Sequence, residues 1–271
     1  MTVNELQKLS RNVRAETLRA ITEAGSGHPG GSLSATDILI TLYWNVMRHD
    51  PRNPGWPDRD RFILSKGHAA PALYTVLAEQ GYFPKDQLHH LREHNSMLQG
   101  HPDATRTPGI EVSSGSLGNG LSVASGIALA LKLDGKSSRV YCLLGDGECD
   151  EGLVWEAAMF ATHKRLDNLI AIVDRNGLQI DGPTEKVCGL EPITEKWRAF
   201  NWNVICVNGH DYNQLIDAFL EAKKVAGKPT VIIAETIKGK GVSFMENVVG
   251  FHGKPTTPQE LEVALKELEA D

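Results

Sequence analysis

The sequence predicts an α/β fold, a mostly parallel sheet with helices on both faces. Short apolar runs, many of them β-branched, fall at Arg139 to Leu144, Asn168 to Asp174, Trp202 to Val207 and Thr230 to Glu235. Helical stretches separate or follow them at Gly118 to Leu131, Gly152 to His163, Asn213 to Val225 and Pro258 to Glu269. With 271 residues, 41% of them hydrophobic, the chain can also bury a sizeable core. No repeat or low-complexity linker interrupts this pattern, so residues 1–271 read as one domain.

The N-terminal part adds further elements. Leu6, Leu9, Val13, Leu18 and Ile21 recur at about a 3.6-residue period and predict an amphipathic helix that stops before Gly25. Ser34-Ala35-Thr36-Asp37 resembles a capping box, which predicts a second helix from there to about Met47 and leaves GSGHPGG as a loop between the two. Proline and glycine cluster at 51–57; RDRFILS then reads as a short strand and Pro71 to Gln80 as a helix, with His68 at the junction.

Composition excludes several function classes. A formal net charge of -6 offers no basic footprint for nucleic acid or an anionic membrane. No apolar run approaches the roughly 18–20 residues that span a bilayer, and MTVNELQKLSRN lacks an apolar signal core. A cytoplasmic protein is expected. Cys142, Cys149, Cys188 and Cys206 form no CxxC pair and read as reduced, structural thiols.

Chemistry is expected where strands end, because loops and helix N-termini there present unpaired backbone donors. The strand VYCLL runs into Gly145-Asp146-Gly147, and LIAIVD runs into Arg175-Asn176-Gly177. A carboxylate and a carboxamide thus meet at adjacent strand ends. Their oxygens suit a hard cation such as magnesium or calcium, which commonly bridges protein to phosphate. The glycines let a diphosphate approach the backbone, and the cation offsets its repulsion from Asp146.

The string GDGECDEGLVWEAAMFATHKRLDNLIAIVDRNG resembles the thiamine diphosphate motif, glycine-aspartate-glycine followed by a later asparagine. Around it, SGHPGG at 26–31, RFILSKGHA at 61–69, GHP at 100–102, SSGSLGNG at 113–120, NGH at 208–210 and FHG at 251–253 resemble successive motifs of transketolase. The resemblance covers nearly the whole chain, and it implies the diphosphate-binding domain of the thiamine diphosphate fold.

The resemblance also assigns roles. Asp146 and Asn176 would give side-chain metal ligands and Leu178 a backbone carbonyl, with magnesium, calcium or manganese as the ion. Gly145, Gly147, His68, Asn176 and His252 would contact thiamine diphosphate, and Gly115-Ser116-Leu117 would lie against its rings. The family has proline where this chain has Ser116, which bears on loop stiffness more than on a backbone contact. His28, His101 and His252 match histidines around the reacting carbon, where imidazole suits proton transfer near neutrality. Glu151 matches an acidic residue at the interface between subunits, although a helix-start carboxylate is the alternative. His49, His89, His90, His94 and His163 match no family site, nor do Glu148 and Asp150.

The implied activity is transfer of a two-carbon ketol unit from a ketose phosphate to an aldose phosphate, as in the pentose phosphate pathway. By the resemblance, the pyrimidine-binding and C-terminal domains of transketolases are expected on another chain. A split enzyme follows, in which the partner is a C-terminal transketolase subunit and the assembly a heterotetramer. The alternatives are a subunit of deoxyxylulose phosphate synthase or the α chain of a 2-oxo acid dehydrogenase, a transketolase for a specialised sugar, or a noncatalytic regulatory subunit.

Overall fold

The computed structural model describes residues 1–270; Asp271, where the predicted domain ends, lies outside the described residues. Five strands build the main sheet: β1 (Arg61–Leu64), β2 (Val140–Gly145), β3 (Leu169–Arg175), β6 (Asn203–Asn208) and β7 (Thr230–Glu235). Their order is β1-β2-β3-β7-β6 and every pairing is parallel. A small antiparallel hairpin, β4 (Leu178–Gln179) with β5 (Gly182–Pro183), stands apart and leads into a single helical turn, α6 (Thr184–Val187).

The inner strands β2, β3 and β7 are apolar on both faces because both faces are covered, whereas the edge strand β6 is only partly buried and exposes Cys206. Tyr141 and Leu143 of β2 pack toward α1 (Val3–Glu23), α2 (Pro29–Thr41), α3 (Ala70–Gln80) and α8 (Tyr212–Ala222). The alternate residues Val140, Cys142 and Leu144 face α4 (Asn119–Leu133), α5 (Gly152–His163) and α7 (Ile193–Ala199). Each fully buried aliphatic side chain contributes roughly 1.5–3 kcal/mol. The last helix, α9 (Pro258–Ala270), packs on α1 around Leu18, Ala264 and Leu268.

The strand and helix expectations hold to within a few residues, with one correction that matters for function. The second helix starts at Pro29, not near Ser34, and His28 is its N-cap. Proline is tolerated in a first helical turn, where its missing N–H costs nothing, and this signal outranks the apparent capping box. Ser34 lies inside α2 and donates to a carboxylate oxygen of Asp174 at 2.6 Å. A true capping box opens α1, where Glu5 N–H donates to Thr2 and Thr2 N–H donates to Glu5. Pro29-Gly30-Gly31 are therefore helix, and residues 42–46 continue it as a π-helical turn.

Candidate functional site

Because all five strands are parallel, their carboxyl ends lie on one side. There β1 runs into Ser65-Lys66-Gly67-His68, β2 into Asp146-Gly147, β3 into Asn176, and β7 toward Thr236 and Lys238. A cavity of about 250 Å³ opens at these ends, lined among others by Lys66, His68, Leu117, Gly145, Asp146, Gly147, Asn176, Leu178, Lys238 and His252.

The oxygen donors expected for a metal are brought together. Asp146 is 2% exposed; its carboxylate accepts from Gly147 N–H at 2.8 Å, Gly177 N–H at 2.6 Å and the Arg175 guanidinium at 3.1 Å. Burial, then the neighbouring Asp174 charge, pushes the Asp146 carboxyl above its ordinary range. Asn176 Oδ1 accepts the Leu178 N–H at 3.2 Å, and the Leu178 carbonyl accepts from Lys238 Nζ at 3.1 Å. Among the described residues no three His, Cys, Asp or Glu side chains converge on a metal-sized cluster. One carboxylate, one carboxamide and one carbonyl form a set that fits a hard divalent ion only when an anionic ligand completes the shell.

Two buried lysines face this cavity. Lys66 is ion-paired with Asp174 and also donates to the Gly31 carbonyl at 3.0 Å. Burial alone would raise the Asp174 carboxyl, but Lys66, with Ser34 and Thr236, holds it below its ordinary range. Lys238 is 2% exposed, and among the described residues it makes no ion pair. It donates to Leu178 and lies 2.9 Å from His252 Nδ1. Burial, then the Lys66 charge, lowers the Lys238 ammonium to about 8. A buried cation without a carboxylate is the setting in which an anionic ligand binds strongly.

Glycine makes room for these groups. A Cβ on Gly30 would stand 3.0 Å from the Lys238 side chain, and one on Gly31 would stand 3.0 Å from His68 Nε2. The GSGHPGG segment thus starts α2 while letting Lys238 and His68 pass against its first turn.

The histidines singled out by sequence form one cluster. The His28 ring centroid lies 5.4 Å from His68, 6.3 Å from His101 and 5.5 Å from His252, and His68 lies 5.1 Å from His252. His28 caps α2, His68 follows β1, and His252 ends a short turn after β7. Gly115, with φ at +141°, leaves space for His101, which a Cβ there would approach to 2.9 Å. Burial first, then neighbouring positive charge, lowers all four: His28 to about 4, His252 to about 3, and His68 and His101 in the same direction. Each shift favours the neutral imidazole over the charged ring.

Two expected residues sit outside this cluster. Glu151 is exposed at the N-cap of α5 without a side-chain cap bond, and Ser116 is exposed while its neighbour Leu117 lines the cavity. His210 of the NGH motif accepts the Ile237 N–H at 2.9 Å and bonds buried Asp37 at 2.7 Å, and so supports the segment carrying Lys238.

Sequence reasoning missed Lys66, Lys238 and Glu148. Glu148 is buried, accepts the Ser65 hydroxyl, the Gly118 N–H at 2.8 Å and the Gly145 N–H at 3.0 Å, and so ties the ends of β1, β2 and α4 together. The available signals were an acidic residue beside the glycine turn and a lysine inside SKGHA; nothing local marks Lys238.

Residues 6–271 match the family described as transketolase, thiamine diphosphate binding domain. The chain is 48% identical over 267 residues to the 6-deoxy-6-sulfo-D-fructose transketolase subunit SqwG of Clostridium sp. (strain MSTE9), covering 98% of this chain and 97% of that protein. It is 42% identical over 268 residues to an apulose-4-phosphate transketolase subunit of Phocaeicola vulgatus, covering 99% and 95%. Among solved structures, a transketolase from Campylobacter jejuni superposes with a TM-score of 0.94 at 34% identity, over 99% of this chain but 43% of that one. The deoxyxylulose phosphate synthase and 2-oxo acid dehydrogenase readings are not favoured by these likenesses.

Proposed function

The chain belongs to the transketolase family, through its thiamine diphosphate-binding domain, and from that premise we propose that it is the N-terminal subunit of a split transketolase. The observation that carries this reading is the cluster of His28, His68, His101 and His252 beside the oxygen set of Asp146, Asn176 and Leu178, with Lys238 left without a carboxylate. Thiamine diphosphate, when bound, supplies the nucleophilic carbon and electron sink for carbon–carbon cleavage and transfer of a two-carbon ketol unit.

The residues of this chain divide that work. Asp146, Asn176 and the Leu178 carbonyl would hold a divalent cation, magnesium in the first instance, and Lys238 would meet the diphosphate charge. Gly145, Gly147 and His68 would admit the diphosphate end, and Leu117, with Gly115 and the exposed Ser116 beside it, would face the rings. His28, His101 and His252, all shifted toward the neutral form, offer hydrogen bonds to ketose and aldehyde oxygens and move protons at those atoms. Glu151, exposed on the rim, contacts the partner subunit.

The partner supplies the pyrimidine-binding and C-terminal domains, in a heterotetramer of two copies of each chain. The donor is a ketose with a terminal anion; relatives named for a sulfo sugar and for apulose-4-phosphate support a specialised sugar over a general pentose phosphate substrate. Free thiols at Cys142, Cys149, Cys188 and Cys206 support a reducing, cytoplasmic setting. No helix among the described residues is long and apolar enough to cross a membrane.

The test mixes the purified chain with a separately expressed candidate partner, thiamine diphosphate and magnesium, and follows two-carbon transfer from ketose phosphates and sulfonates. Turnover is expected in the mixture and in neither chain alone. Transfer by this chain without a partner would sink the split-enzyme reading.

A further inference from the structure

We propose that Arg92 is a positioning residue that fixes the tautomer of His28, so that His28 presents an Nε2–H donor to the substrate. The donor role in turnover rests on the transketolase reading above; the tautomer does not. Arg92 holds a left-handed backbone, with φ at +63°, and its N–H donates to the Leu98 carbonyl at 2.8 Å. Such a conformation in a non-glycine residue persists only where its surroundings over-determine it.

Its guanidinium is aimed at the histidine cluster. Nη1 donates to Ser26 Oγ at 2.8 Å, and Nη2 donates to the Gly100 carbonyl at 3.3 Å and to His28 Nδ1 at 3.4 Å. Gly100 makes the placement possible, since a Cβ there would stand 3.1 Å from Arg92 Cζ. Among the described residues no carboxylate pairs with Arg92, and its Nε is buried without a partner. This cation is therefore not held for an ion pair.

A guanidinium has donors only and stays protonated at every accessible pH. The ring nitrogen facing it must accept, so His28 Nδ1 carries the lone pair and the neutral ring carries its hydrogen on Nε2. Burial, followed by the Arg92 charge, keeps His28 uncharged near neutrality. The ring stands among His68, His101 and His252, so an Nε2–H there meets an oxygen of a bound ketose as a donor. His252 repeats the device, with Lys238 Nζ at 2.9 Å from its Nδ1, whereas the His101 ring has no such cationic contact among the described residues. Of the four imidazoles in the cluster, His28 and His252 are thus capped at Nδ1, and His68 and His101 carry no such cap among the described residues.

The experiment labels the histidines with nitrogen-15 and reads two-bond nitrogen–hydrogen correlations at pH 7, with His28 assigned by its loss in His28→Gln. The wild-type chain is expected to show a pyrrole-type Nε2 and a pyridine-type Nδ1 at His28. Arg92→Met is expected to give a tautomer mixture, and Arg92→Lys to restore the pattern, while the His49 signals and the thermal midpoint stay in place. In the assembled enzyme Arg92→Met should lower kcat toward about a hundredfold, the lower end of what a positioned proton donor contributes, with thiamine diphosphate affinity unchanged. A wild-type His28 protonated on Nδ1, or an Arg92→Met spectrum identical to wild type, overturns the proposal; the wild-type spectrum decides alone if the variant does not fold. Absence of ketol transfer with an intact wild-type pattern would instead overturn the transketolase reading.

Discussion

Lys66 and Lys238 line one cavity and are both buried, yet their surroundings are opposite. Lys66 meets Asp174, which also receives Ser34 and Thr236, so every charge on that floor of the site is satisfied by the chain. Lys238 meets a carbonyl and an imidazole, neither carrying negative charge. The floor is paired within the chain; on the wall, Lys238 is held by neutral groups, with the Asp146 and Asp174 charges acting on it without an ion pair. A buried charge that is paired internally reports on the fold, and one left unpaired reports on a ligand.

The sharpest way to break this contrast is Asp174→Ala. It strands Lys66 in the core, and removing one partner of a buried pair costs about 3–5 kcal/mol. Denaturant unfolding should show a loss of stability of that size; a loss below about 1 kcal/mol, the range of exposed pairs, would place Asp174 outside the structural floor. Lys238→Met should do the reverse. Stability should stay within about 1 kcal/mol or rise, because a costly buried charge disappears. Thiamine diphosphate affinity in the assembled enzyme should fall by the roughly 1.5–3 kcal/mol of a charged hydrogen bond, on the order of ten- to a hundredfold, as read by calorimetry. Unchanged affinity would remove Lys238 from the diphosphate end.

Asp146→Ala tests the boundary between floor and wall. It frees the Gly147 and Gly177 amides, at a cost of about 1–3 kcal/mol in stability, and should abolish the dependence of cofactor binding on magnesium. Retention of that dependence would locate the ion elsewhere.

The smallest expected effect concerns pH. His28 titrates at about 4 in the folded chain, below its unfolded value near 6.5. Between those values the unfolded chain binds more protons, so this residue's contribution to stability is present above about 6.5 and is lost as pH falls toward about 4. Thermal midpoints of wild type and His28→Gln should therefore converge as pH drops through that window, and parallel curves would mean the imidazole is not shielded as the structure shows it.

Much of this was legible in the sequence, for reasons that differ by element. The strands were readable because a parallel sheet covered on both faces demands uninterrupted apolar runs such as LIAIVD, and the ends of those runs located Asp146 and Asn176. The histidines were readable only through ordered motifs, since no spacing joins His28 to His252. What stayed hidden depends on three-dimensional closure. Lys238 becomes conspicuous only once it is seen to be buried without a carboxylate, and Glu148 only once the ends of β1, β2 and α4 converge on it. The start of α2 was misplaced because Ser34 carries the residue type of a cap while its hydroxyl is committed to Asp174.

Gly30 and Gly31 perform no chemistry, yet each is shaped as the negative of another side chain, Lys238 in one case and His68 in the other. Their constraint is one of volume, so a single added methyl would displace an ammonium or an imidazole that no substitution had touched. Mutational tolerance along this segment should therefore follow the contour of the cavity and not the roster of reactive groups. Two residues without side chains would then be as intolerant of change as the histidine that precedes them.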